Sequence, residues 1–178
     1  MTDLGQIIVN FSASVTRAAW LFLWALAGLL GTIYTGSVAM KMYHASKGTG
    51  TTQVKAGEIV GGFLSAAMVA QLSSLINKTL ETVGLGMTTY GAIDYADSGS
   101  LGQLAAVVNA ALTLGSVVGG FLGLKGAILF YQASSGGHNG HGGHDLTWRA
   151  MTHLLAGAGL VQSGQLIRMA LQSISGAS

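Results

Sequence analysis

Cysteine and proline are both absent from this chain, and charge is scarce: acidic and basic residues together make up 8% of its 178 positions. Without cysteine there is no disulfide, no thiol nucleophile and no thiolate metal site, while the compartment stays open. Without proline, no helix has to break for want of a backbone donor. Soluble domains carry about 25% charged residues, and a water-facing surface depends on interspersed charge to stay dispersed. Six acids and eight bases cannot cover a globule of this size, so an ordinary soluble domain is excluded. The net charge of +2 is too small to support sequence-specific binding of nucleic acid.

Apolar residues make up 50% of the chain, and 28 residues are glycine. Glycine is more frequent in membrane helices than in soluble ones, because close backbone approach there replaces the hydrophobic drive. The composition predicts an all-α membrane protein.

Charges punctuate four apolar segments: Ala18 to Met40, Ile59 to Asn77, Ser98 to Leu124 (continuing to Tyr131), and Ala150 to Ile167. A membrane helix needs about 20 mostly apolar residues. The first and third meet that comfortably. The second and fourth are shorter and more polar, with Gln71, Ser73 and Ser74 in one and His153, Gln162 and Ser163 in the other. They fit helices that face protein or lie partly at the interface. The stretch from Leu4 to Thr16 is mildly amphipathic and is expected to extend the first helix. The start of the chain, with Asp3 where a secretory signal carries bases, reads as no removable signal peptide.

An internal repeat organises these segments. A shift of 88 residues aligns Tyr43-His44-Ala45-Ser46 with Tyr131-Gln132-Ala133-Ser134, and Ala27, Gly31, Thr35 and Ala39 with Gly115, Gly119, Gly123 and Ala127. Beyond the second glycine-rich loop the shift becomes 91, and Gln71, Leu75, Ile76 and Leu80 fall on Gln162, Leu166, Ile167 and Leu171. The expected architecture is four helices in two tandem hairpins: residues 1–85, a polar connection at 86–100, and residues 101–178. Two spans per repeat place the loops after the first and third helices on one side. That side carries Lys41, Lys47, Lys55, Lys125 and Arg149 against Glu58 and Asp145. The basic excess predicts that these loops are cytoplasmic.

Small residues recur every fourth position: Ala111, Gly115, Gly119, Gly123 and Ala127 on the third segment, with Gly31 in the matching row on the first and Gly61 on the second. Such rows share one helix face and let helices pack closely in lipid. They serve packing within one subunit, between subunits, or both. A bulky Gly119→Leu is expected to block assembly and leave insertion intact.

Other candidate sites are weaker. His138, His141 and His144 are spaced by three in a glycine loop before Asp145; imidazoles can hold a divalent metal, but the bland reading is a solvated loop that gains charge below neutral pH. His153 lies inside the fourth segment, where a hydrogen bond to a neighbour accounts for it. The five bases fit either topology and snorkelling, or phospholipid headgroup binding or the lining of a polar lumen. Trp20, Trp24 and Trp148 sit near span ends and read as interfacial anchors. No nucleophile–base pair, carboxylate pair or phosphate loop is recognisable, so catalysis is not expected, nor any cofactor beyond bound phospholipid.

The opening around Trp20 to Met42, the glycine-rich helices and the hairpin loops with Tyr-x-Ala-Ser resemble the TraQ family of IncI-type conjugation systems and its IcmC (DotE) relatives of Dot/Icm type IVB secretion. Each half also resembles a VirB-type conjugative pilin, with Lys41 to Lys55 and Lys125 to Arg149 at the position of the pilin's basic loop. The chain departs from the pilin pattern in holding two hairpins and in placing histidines where bases dominate. The resemblance implies a bacterial inner-membrane protein, extracellular if assembled into a pilus. It implies a homo-oligomer that meets membrane lipid and other secretion-system subunits in a filament or membrane channel. A stand-alone small-solute channel or transporter is the alternative; parallel repeats are compatible with it.

Overall fold

The structure is a computed structural model that describes residues 4–48, 55–86, 88, 90–93, 95–96, 103–135 and 143–175. His138, His141, Asp94 and Asp97 lie outside the described residues. The described chain is all-helical, with six helices: α1 (Leu4–Ser46), α2 (Ala56–Ala70), α3 (Leu72–Thr82), α4 (Gln103–Ser134), α5 (Gly143–Val161) and α6 (Ser163–Ser175).

The two long helices correspond to the two longest charge-free segments. α1 includes the amphipathic start and runs for 43 residues, roughly 64 Å at the helical rise. α4 has 32 residues, roughly 48 Å. Both exceed the ~30 Å hydrocarbon core of a bilayer, and both are long and apolar enough to cross a membrane.

The second and fourth segments are each two helices rather than the single helices expected. α2 and α3 meet at 93°. The hinge is Gln71, whose φ of −107° and ψ of 46° leave the helical region. Its N–H still donates to Ala67 O at 2.9 Å, and its carbonyl accepts from Leu75 N at 3.0 Å. α5 and α6 break at Gln162, with N–H to Ala158 O at 3.1 Å and carbonyl to Leu166 N at 3.0 Å. The cause is a change of pattern, not a proline. Up to Ala70 the sequence is apolar on most sides. After it, LSSLINKTLET is apolar on one stripe only, so a straight continuation would carry Ser74, Lys78 and Glu81 along the apolar axis. The bend lays α3 across the bundle instead. Leu72, Ile76 and Leu80 become buried, and Lys78 pairs with Glu81 at 2.7 Å on the exposed side.

The main core lies where these elements meet. Trp20, Leu23 and Ala27 of α1 join Leu72, Ile76 and Leu80 of α3, Leu124 of α4, and Ala158 and Val161 of α5. A smaller cluster near the far ends of α1 and α4 holds Val38, Ala66 and Tyr131. There Tyr34 and Tyr131 stack nearly parallel, 3.9 Å between centroids. The most extensive helix pair is α4 on α5; α1 packs on α2 and α4, and α3 bridges to α4 and α5.

Candidate functional site: helix-packing faces and the basic end

The glycine positions divide by what faces them. A methyl group on Gly31 would stand 2.5 Å from Ala70 Cβ and 2.7 Å from its Cα, so α1 and α2 touch backbone to backbone there. On Gly119 it would stand 2.6 Å from Gly157 O and 2.9 Å from Val161 N. These two contacts join aligned positions, Gly31 with Gly119 and Ala70 with Val161. Each packs the long helix of one half against the helix that follows it. Gly61 and Gly123 instead lie between the halves, the first 3.2 Å from Ser134 Cβ and the second 3.1 Å from Ile76 Cδ1, measured from the same hypothetical methyl. Gly115 has nothing within 4 Å. The expectation for Gly119→Leu changes accordingly: the substitution strikes the α4–α5 contact inside the chain before it affects any neighbour.

Four glycines outside the singled-out rows pack as tightly, among them Gly62, where a methyl would stand 2.8 Å from Val38 Cγ2. Gly120 takes the edge of the Trp20 ring, at 2.6 Å from a hypothetical methyl, and Gly126 lies against Leu154 and the Ala150 carbonyl. Gly157 faces Gly119. The four-residue spacing missed them because the row of small residues drifts round the helix, and a second row one step along serves another neighbour.

The five basic residues lie at different levels along their helices. Lys41 donates to Ser135 O at 2.9 Å across the ends of α1 and α4, and so supplies a cation where the α4 carbonyls run out of intrahelical donors. Ser65 and Ser134 hydroxyls meet at 2.9 Å beside it. Lys47 lies 4.6 Å over the Tyr43 ring. Lys55 occupies the N-cap position of α2 without a side-chain cap bond. Arg149 stands 3.8 Å from Asp145 on the exposed first turns of α5. These four gather at the loop ends of their helices. Lys125 is nine residues from the end of α4, roughly 14 Å further down by the helical rise, and is exposed.

At the other end an aromatic cluster ties α1 to the connection between the halves. Trp20 stacks on Trp24, and Tyr90 meets both edge-on at 4.8 and 4.9 Å. Trp20 is only 4% exposed, so it is a core residue and not the interfacial anchor read from its position; the open space above Gly120 is what admits its ring. Trp148, at 67% exposure, remains at the surface. Tyr90 holds a left-handed φ of 48°, costing on the order of 1–2 kcal/mol for a residue with a Cβ. Its ring contacts and its hydroxyl, which donates to Ser73 O at 2.8 Å, hold it there. Burial raises the pKa of that hydroxyl above its ordinary value, which keeps it a donor. Beside the cluster opens a cleft of about 500 Å³, with Arg17, Trp24 and Tyr90 in its lining.

Of the three loop histidines only His144 lies among the described residues. His144 is exposed at the start of α5, and among the described residues no three histidine, cysteine or acidic groups converge. His153 Nδ1 lies 2.8 Å from Arg149 O, one turn back on its own helix. No protein-family model matches this chain, and neither a curated protein nor a solved structure is significantly similar to it.

Proposed function

We propose that this chain is a membrane-embedded structural subunit of a conjugation or type IVB secretion apparatus, which assembles with copies of itself and with phospholipid into a pilus-like filament or a membrane channel. The observation that carries the reading is the exposure of its long helices. The apolar window of α1 is only 22% buried and that of α4 only 39%. Leu21, Phe22, Leu29 and Met40 stand 59–65% exposed on α1 alone. Contiguous apolar surface of that extent marks contact with lipid or with another protein.

The duplication supports an architecture made for repetition. Long helices end at Ser46 and Ser134, which the repeat aligns, and the hinges fall on the aligned Gln71 and Gln162. In this reading each half is one hairpin whose second arm is bent, and the chain is two copies of one building unit. The basic loop ends, with Lys47, Lys55 and Arg149 at the surface, suit anionic phospholipid headgroups and a cytoplasmic position before assembly. The link to conjugation and secretion comes from the resemblance to the TraQ and IcmC (DotE) proteins.

The reading is tested by extracting the protein from membranes in mild detergent and weighing the complex, and by imaging sheared filaments from cells that express it. Particles or filaments containing many copies are expected, with lipid retained on extraction. A stable monomer, dispensable for transfer of DNA or protein by the host apparatus, would overturn the reading.

A further inference from the structure

Because the two halves align, the face that joins them inside the chain has two counterparts, one on each half. α1 corresponds to α4 at a separation of 88 residues, and α2–α3 to α5–α6 at 91. Within the chain, Trp20 and Leu23 of the first half fit against Gly120 of the second, and Ile76 fits against Gly123. The first-half counterparts of Gly120 and Gly123 are Thr32 and Thr35, and both are exposed. Between them and the helix end lies Gly36, counterpart of the buried Leu124, with nothing within 4 Å. On α2, Ala67 and Ala70 are exposed where Ala158 and Val161 are buried.

The other half shows the converse. Trp20, Leu23, Ala27 and Ile76 are the side chains that the first half presents to the shared core. Their second-half counterparts are Val108, Ala111, Gly115 and Ile167. Ala111 and Ile167 are exposed, and Gly115 is open. Bulk is also redistributed in a complementary way. Inside the chain two large side chains, Trp20 and Leu23, meet a glycine; at the matching outer faces the smaller Val108 and Ala111 would meet the larger Thr32.

Positions exposed in both halves follow a different rule. Ile33 and Phe121 correspond, as do Val60 and Met151, and Leu64 and Leu155. All six are large, apolar and exposed in both halves. Most positions described above are buried in one half and exposed in the other, with Val108 and Gly115 half-buried, as expected of an interface that is filled once within the chain and left open at its two ends.

We infer that copies of this chain join head to tail, the second half of one copy seating on the first half of the next in the way the two halves already seat on each other. Ala111, Gly115 and Ile167 of one copy then meet Thr32, Thr35 and Gly36 of its neighbour. A heterologous contact of this kind closes into a ring or continues as a helical filament, and does not stop at a two-fold dimer. The inference rests on the proposed assembly from identical copies and specifies its geometry.

The absence of native cysteine makes the test clean. Ala111→Cys and Thr32→Cys are introduced singly and together, and membranes are oxidised with copper phenanthroline. Each single variant alone stays monomeric on a denaturing gel. The two single variants co-expressed give dimers and nothing larger, and the double variant gives a ladder of dimers, trimers and above. The control pair Ile33→Cys with Phe121→Cys gives no ladder. Adding Gly115→Leu to the double variant abolishes the ladder, while helix content and protease resistance of the subunit stay unchanged because the site is open within the chain. Dimerisation of either single variant alone would indicate a two-fold face and overturn the inference. So would a double variant without a ladder when the detergent-extracted complex still weighs as many copies, which would leave the assembly reading standing. A complex that weighs as a monomer would remove both.

Discussion

The sharpest consequence of the packing concerns Gly31→Ala compared with Gly28→Ala. Both positions lie in α1, three residues apart, so each substitution brings the same gain in helix propensity, about 1 kcal/mol. They differ in what the new methyl meets. At Gly28 it meets nothing within 4 Å. At Gly31 it meets the Cβ, Cα and N of Ala70 at 2.5, 2.7 and 2.8 Å. Two of those atoms are backbone, so no side chain can swing aside and α2 itself has to move away. Overpacking of this kind costs about 1–3 kcal/mol, and the common propensity term cancels in the comparison. At about 2–4 °C per kcal/mol for a chain of this size, Gly31→Ala should melt roughly 2–12 °C below Gly28→Ala. The measurement is thermal unfolding of dispersed protein in one detergent, followed by the near-ultraviolet signal of the Trp20–Trp24–Tyr90 cluster. Equal melting temperatures would refute the close approach of α1 and α2, and with it the assignment of Gly31 to a contact within the first half.

Three further outcomes follow from the same geometry. Gly119→Leu should disrupt the fold of the dispersed subunit, read as lost protease resistance, whereas Gly115→Leu should not. Tyr90→Phe should cost about 1 kcal/mol through loss of the bond to Ser73 O; in the native protein the raised phenol pKa adds stability that is fully present below about pH 10 and is lost as pH rises above it. That alkaline loss should be smaller in Tyr90→Phe when melting temperature is followed against pH. Leu64→Arg, on the face exposed in both halves, should disfavour membrane insertion by about 3 kcal/mol, measured as the fraction of chain recovered in the membrane; insertion equal to wild type would mean that this face does not meet lipid.

Some of this architecture could be read before any coordinates. The charge-free runs located α1 and α4, because length and hydropathy alone decide whether a helix can span a bilayer. The shifts of 88 and 91 pair Ser46 with Ser134 and Gln71 with Gln162, and these are residues at which the long helices end and the following segments break. The hinges themselves were not legible: the segment Ile59 to Asn77 is apolar enough to pass for one helix, and no proline marks a break. Only the fall from an all-round apolar pattern to a single stripe hints at the turn, and a bend is decided by what the stripe can be buried against. Lys41 was legible as a base near a helix end; that it caps the end of α4 depends on how α1 and α4 align.

Local hydropathy and residue identity were enough to give an all-helical chain with two helices long and apolar enough to cross a membrane, since both depend on short stretches of sequence. The tertiary structure alone decided which glycine meets which neighbour and why Trp20 is buried. The reason is geometric: a helix face has several neighbours to choose from, and which one approaches within van der Waals contact is fixed only when all the helices pack together.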